Sequence, residues 1–431
     1  MNEQQTNISP LINHLFRHET GKMIAVLTRL FGIHNIELAE DVVQDAFARA
    51  VEVWKFNGLP DNPSAWLMQT AKNKAIDIVR RERYKKEFAK DLTYQLKSEY
   101  TTSQTIQQVF LAHEIQDSQL RMIFTCCHPE LTDEDQIALT LKTISGFSIQ
   151  EIANALLSSV AAINKRLFRA RQYIRDNNIQ FEIPSQKGLQ ARLENVLRVL
   201  YSLFNEGYNS SHREKLIRKD LCEEAMRLCK LLTEHPDTKQ PRCFALLSLM
   251  CFQASRLDAR VNEQGEIILL NEQDRSKWNW ALIERGFHFL DEAAFGEEVS
   301  EYHIEAAIAS FYSSAKSYEE IDWKNILAFY DALMKKNFSP VIPLNRAIVL
   351  SKIGSPQKAI DAIMRIPKIE SLLETQYLFN ATLGELYASN GDKEKALQFY
   401  NKAHMLTNSE SEKKLLEKKI DKLDTINNIK I

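Results

Sequence analysis

The stretch Gly146-Phe-Ser-Ile-Gln-Glu-Ile-Ala-Asn-Ala-Leu156, followed by Leu157, Ser158, Ser159 and then Val160 to Arg175, decides how this chain is read. Ala153 is small where two helices would cross closely, and Ile152, Leu156, Ile163 and Leu167 would share the core beneath them. This is helix-turn-helix spacing. The second helix carries an apolar stripe at Ile163, Leu167, Ala170 and Ile174. Its other face carries Lys165, Arg166, Arg169, Arg171 and Arg175, with no acid from Val160 to Arg175. Such a face suits phosphates while the first turn meets base edges. Val160, Ala161 and Ala162 are apolar, so Ser159 and Asn164 are the candidates for base hydrogen bonds. The alternative reading of the charge run is the solvated face of a structural three-helix unit.

Upstream, Ile24, Ala25, Leu27, Leu30 and Phe31 sit at helical spacing, and a second helix covers Glu37 to Lys55 with Val43, Ala46, Phe47, Ala50 and Trp54 on its apolar side. Asp41, Gln44 and Asp45 share its polar face. Phe56 to Pro63 is a loop, punctuated by Gly58, Pro60 and Pro63, and Ser64 is the expected cap of the next helix. From Lys72 to Lys86 seven basic residues face only Asp77 and Glu82, a local net of +5. Asn73, Asp77, Arg80 and Arg81 fall on one flank of this helix, with Lys72 beside them. Trp54, Phe56 and Trp66 are aromatic groups able to stack on unpaired bases, although Trp54 and Trp66 read first as core.

Composition sets the frame for these segments. The 431 residues are 44% hydrophobic and 26% charged, enough for two to four packed domains. Lys+Arg 55 against Asp+Glu 57 gives a net charge of -2, which excludes a uniformly basic coat and an acidic tail but allows a local basic face. Only 12 Gly and 11 Pro argue for helices over turn-rich strands. No apolar window approaches the ~20 residues of a membrane span. Met1 to Pro10 is polar and lacks a secretion pattern. Cys126, Cys127, Cys222, Cys229, Cys243 and Cys251 form no C-x-x-C pair, so free thiols in a reducing cytoplasm are expected. Cys126, Cys127 and His128 lack a second ligand cluster and read as packing. With no Gly-rich phosphate loop, nucleophile elbow or HExxH, no catalytic, metal or cofactor residue is assigned and an enzyme is not expected.

The organisation expected is all-α. A helical domain at 8–88 is followed by a flexible linker at 89–110 and a helix-turn-helix domain at 111–176. A connector at 177–188, broken by Pro184 and closed by Gly188, leads to a larger helical domain at 189–431. Near 340–408 an internal repeat aligns Gly354-Ser-Pro-Gln-Lys-Ala-Ile-Asp-Ala-Ile363 with Gly391-Asp-Lys-Glu-Lys-Ala-Leu-Gln-Phe-Tyr400. Leu383, Gly384, Tyr387, Ala396, Tyr400 and Ala403 fall where a tetratricopeptide repeat places its packing residues.

Together, Ala39-Glu-Asp-x-x-Gln-Asp-x-Phe47, Pro63-x-Ala-Trp-Leu67, Ala71-x-Asn-x-x-Ile-Asp-x-x-Arg-Arg81 and Arg121-Met-Ile-Phe-Thr-Cys-Cys-His-Pro129 resemble an extracytoplasmic-function sigma factor of bacterial RNA polymerase. The resemblance covers roughly Ile8 to Asp176, and it is closest to a subgroup that carries a long helical extension. It implies that Asp41, Gln44, Asp45 and Phe47 dock on the polymerase core. Lys72, Asn73, Asp77, Arg80 and Arg81 would contact the −10 promoter element, and the loop Phe56 to Asn62 would hold a flipped base. Ser159, Asn164, Lys165, Arg166 and Arg169 would enter the major groove at the −35 element. Leu157 stands where many helix-turn-helix units have Gly. The implied partners are polymerase core and promoter DNA, with a regulatory protein as a candidate partner of the C-terminal domain.

Two rival readings remain from the residues alone. One is a helical-repeat scaffold whose sigma-like module no longer binds polymerase. The other is an enzyme with a pocket in Leu189 to Ala294, drawing on Glu206, Tyr208, His212 and Asp258.

Overall fold

The computed structural model describes residues 8–83, 108–156, 158–209, 217–336 and 339–428. Among the described residues there is no strand, only an isolated antiparallel bridge between Val261 and Ile267. Two compact units divide the chain, Met1–Ser202 and Leu203–Ile431.

The first unit holds α1 (Ile8–Phe31), α2 (Ile36–Asn57), α3 (Pro63–Arg83), α4 (Ala112–Cys126), α5 (Asp133–Thr143), α6 (Ile149–Ala155) and α7 (Val160–Asp176), with the first part of α8 (Gln186–Tyr208). The two small domains expected on a tether thus share one compact unit. The join is α1 lying on α4 and touching α5. It requires Gly21, where any β-carbon would collide with the backbone carbonyl of Ile144. Residues 84–107, most of the expected linker, lie outside the described residues, as does Leu157.

Local starts and stops follow capping chemistry. The expected cap Ser64 is displaced by Asn62, whose Oδ1 accepts the Ala65 amide at 3.0 Å. Pro63 then takes the first helical position, where a missing N–H costs nothing. The expected connector ends earlier than Gly188, because α8 already begins at Gln186. The division between units falls inside α8, past the expected boundary at 189.

The second unit is also helical. It contains α9 (Lys219–Glu234), α10 (Pro241–Ala254), α11 (Trp280–Ala293), α12 (Glu301–Ser314), α13 (Trp323–Lys336), α14 (Val341–Ile353), α15 (Pro356–Met364), α16 (Ile369–Thr375), α17 (Tyr377–Ser389), α18 (Lys393–Leu406) and α19 (Glu410–Asn428). The aligned repeat corresponds to two helical hairpins, α14–α15 and α17–α18, with equivalent caps. Ser355 accepts the Lys358 amide at 3.4 Å, and Asp392 accepts the Lys395 amide at 3.1 Å. Ala359 and Ala396 are both fully buried one turn later. Gly391 turns the second hairpin at φ 86, a left-handed value that glycine adopts without strain.

Gly384 packs directly beneath the Tyr400 ring, and a β-carbon there would lie 2.5 Å from its Cδ1. Overpacking of this kind costs about 1–3 kcal/mol. Gly384→Ala should therefore lower the melting temperature of the second unit by several degrees in calorimetry. An unchanged transition would show that the α17–α18 contact is not close-packed.

Candidate nucleic-acid interface

The helix-turn-helix is built by two caps. Ser148 Oγ accepts the Glu151 amide at 3.2 Å while Glu151 Oε2 accepts the Ser148 amide at 2.8 Å, a reciprocal capping box that starts α6. Ser159 Oγ accepts the Ala162 amide at 3.1 Å and starts α7. Ile163, Leu167, Ala170 and Ile174 are buried, as the stripe requires, and Ala153 is buried at the crossing. Leu156 is only half-buried.

The polar face of α7 is divided. Asn164 and Lys165 are exposed and Arg166 is half-buried, whereas Ser159 has its oxygen engaged as a cap and keeps its O–H to donate. Arg169 Nη2 donates to Asp135 Oδ1 at 2.8 Å. Arg171 and Arg175 do not face solvent for phosphates: Arg171 donates to Glu40 Oε1 at 2.6 Å and Arg175 to Glu37 Oε1 at 3.0 Å. Both acids lie on α2. Arg29 of α1 adds a second cluster with Glu114 and Asp117 of α4. The Arg171 and Glu40 side chains are 14% and 10% exposed. Burial raises the Glu40 carboxyl above its ordinary value, and the opposing pull of Arg171 does not fully offset it.

On α3, Asn73, Asp77, Arg80 and Arg81 are exposed, while Lys72 is half-buried with its ammonium 5.9 Å from the Phe110 ring centre. Asn73 and Asp77 help line a groove of about 750 Å³ between α2 and α3, together with Asp45, Arg49, Trp66 and Lys74. Lys74 reaches across to Asp45 at 2.9 Å, and Gln69 donates to Asn73 Oδ1 at 2.8 Å. Arg49 and Gln69 were missed by the motif reading, although Gln69 stands one turn before Asn73. Trp54 is core, set edge-on to Trp66 at 5.4 Å; Phe56 is 84% exposed and stands in the last turn of α2, which runs on to Asn57, past the expected loop start.

Asp41, Gln44 and Asp45 are exposed on α2. Phe47 differs: it is 4% exposed and belongs to the core, so it supports this face from beneath instead of forming part of it. Its place in the α2 apolar spacing is the physical reason. Phe168, 64% exposed on α7, was not anticipated.

Elsewhere, Cys126 and Cys127 are buried, and burial pushes the Cys127 thiol up to about 12. In the second unit, Asp258 pairs with Lys219 and the Tyr208 hydroxyl accepts from Arg256 at 2.6 Å, so these two face different partners. Glu206 is half-buried, and His212 lies outside the described residues.

Residues 15–84 match Sigma-70 region 2, residues 121–174 match Sigma-70, region 4, and residues 192–294 match a family of unknown function, DUF6596. The chain is similar to the ECF RNA polymerase sigma factor SigM of Bacillus subtilis (strain 168), 30% identical over 139 residues that make up 32% of this chain and 78% of that protein. It is similar to the ECF RNA polymerase sigma-E factor of Haemophilus influenzae, 29% identical over 39% of this chain and 87% of that protein. Over nearly its whole length it resembles Uncharacterized protein R00370 of Rhizobium meliloti (strain 1021), 32% identical across 93% of each chain. No solved structure matches it.

Removing one partner of a buried ion pair costs about 3–5 kcal/mol. Arg171→Ala should therefore destabilise the first unit by roughly 3 kcal/mol at neutral pH. A carboxylate with a raised folded-state pKa contributes most stability below its unfolded value and loses it as pH rises through the folded value. The deficit of the variant relative to the parent should consequently shrink as pH falls from 7 toward 5, read by denaturant unfolding at each pH. A deficit that does not change with pH would mean that Glu40 is not the group left behind.

Proposed function

The chain belongs to the extracytoplasmic-function RNA polymerase sigma factors, and from that premise we propose that it directs polymerase core to specific promoters through the named faces of its first unit. Exposed Asp41, Gln44 and Asp45 dock on core. The α3 flank of Asn73, Asp77, Arg80 and Arg81, with Lys72, meets the −10 element, and exposed Phe56 stacks on an unpaired base beside it. The first turns of α7, with Ser159, Asn164, Lys165, Arg166 and Arg169, read the −35 element. The observation that carries this reading is the capped start of α7, which leaves its first turn open while its last turn is held by α2.

Size adds a requirement. The two promoter elements are about 25 base pairs apart, or about 85 Å along B-form DNA. A compact unit the size of Met1–Ser202 is only about 45 Å across. Engagement of both elements therefore requires the Arg171–Glu40 and Arg175–Glu37 pairs to part. The chain between Arg83 and Gln108 has a contour of about 80 Å, long enough for that separation. The packed arrangement is the resting state, and polymerase supplies the surface on which it opens. No catalytic step is needed, and the protein works in the cytoplasm, where polymerase is. The second unit regulates this cycle in cis or receives a regulatory protein.

Run-off transcription with purified polymerase core tests the proposal. The double variant Asp41→Lys, Asp45→Lys should lose at least tenfold in core affinity and lose promoter-specific transcripts. Lys165→Ala with Arg166→Ala should keep core association and lose transcription from templates that depend on the upstream element. Absence of core association by the parent chain at low salt would favour the scaffold reading.

A further inference from the structure

The second unit contains a chain of guanidinium groups and aromatic rings that the promoter-binding role does not use. Tyr208 ends α8. Arg256, just after α10, donates to its hydroxyl at 2.6 Å. Arg260 lies against the face of the same ring, its guanidinium carbon 3.8 Å from the centre, and donates to the Tyr208 carbonyl. Arg256 also stands 5.7 Å from the centre of the Trp278 ring. Arg275 covers that ring at 4.3 Å. The sequence of groups is thus Arg260, Tyr208, Arg256, Trp278, Arg275.

Three like charges gathered around two rings carry an electrostatic cost. Carboxylates usually neutralise such groups, yet among the described residues none of the three arginines is ion-paired to one. Arg275 Nη1 is satisfied by the carbonyls of Ala315 at 2.6 Å and Tyr312 at 3.2 Å. Its Nη2 is buried with no hydrogen-bond partner, and so is Trp278 Nε1. Both orphaned groups are donors, and a buried donor left unmet is costly. Ring contacts and backbone carbonyls orient the guanidiniums without cancelling their charge.

The titration behaviour agrees with a surplus of positive field. Burial holds Arg260 and Arg275 below the ordinary arginine value; the charge of Arg256 adds to it at both, while Tyr208 opposes it at Arg260. Burial pushes the Tyr208 phenol up, but Arg256 and Arg260 outweigh it and leave the group below its ordinary value. At Arg275 the charges of Glu319 and Glu320 pull the other way.

We propose that Arg256, Arg260 and Arg275, held by Tyr208 and Trp278, form a binding site for a small oxyanion, a phosphate or carboxylate group carried by a soluble ligand. Planar guanidinium forks match the paired oxygens of both groups. The anion would cancel the mutual repulsion and give acceptors to the unmet donors. All five residues fall within residues 192–294, the stretch that matches the family of unknown function, and outside the sigma-70 matches. The site therefore does not depend on how the first unit meets DNA.

Calorimetric titration of the full chain with inorganic phosphate, and separately with citrate, tests it at constant pH and ionic strength against sodium chloride. Saturable binding of at least one anion is expected, with a matching rise in melting temperature. Arg256→Gln and Arg275→Gln should each weaken that binding at least tenfold. Arg275→Lys, which keeps the charge and loses the fork, should fall between parent and Arg275→Gln, and it serves if the glutamine variants fail to fold. The difference between the phosphate and citrate arms identifies which oxyanion the site takes. No saturable binding of either anion, or equal binding by the parent and the folded variants, overturns the proposal.

Discussion

The placement of Glu40 against Arg171 constrains everything in the first unit. A carboxylate this buried is tolerated only because a guanidinium meets it at 2.6 Å. That single contact fixes the rotation of α7 about its axis. Once Arg171 and Arg175 turn toward α2, the stripe of Ile163, Leu167, Ala170 and Ile174 must face the core, and Asn164 and Lys165 must face outward. Gly21 acts from the opposite side by letting α1 approach the end of α5 without a side chain between them. Shape and charge thereby agree on one packing of two modules that the sequence divides by a long polar segment.

Local order in this chain is largely legible in its sequence. The α7 stripe and the paired hairpins near residues 354 and 391 rest on spacings within a few residues, where helix geometry makes sequence distance equal to spatial distance; the Ser148–Glu151 box, equally local, emerged only in the structure. Phe47 is instructive. Spacing alone set it with Val43 and Ala46 on the apolar side, and the structure agrees; only the motif resemblance drew it outward. The expected cap Ser64 gives way to Asn62 because Pro63 takes the first helical position, which puts Asn62 directly before the helix.

What sequence could not give were partners far along the chain. Arg171 and Glu40 are 131 residues apart, and Arg175 and Glu37 are 138 apart. No periodicity reports such a meeting, so the basic run read as one uniform face. The same holds for Tyr208, Arg256 and Trp278, which come from separate elements and converge only in the folded second unit. The unit boundary within α8 was hidden for a related reason: a continuous helix carries no composition break at Ser202.

The sulfur chemistry of the molecule follows from burial alone. All six cysteines are enclosed, and burial pushes Cys127, Cys222, Cys243 and Cys251 up to about 12. A thiol in that condition stays protonated at neutral pH, and the thiolate is the form that peroxide and alkylating agents attack. The cysteines of the folded chain are thus chemically quiet toward oxidants, and they serve as small apolar fillers whose exposure would report unfolding.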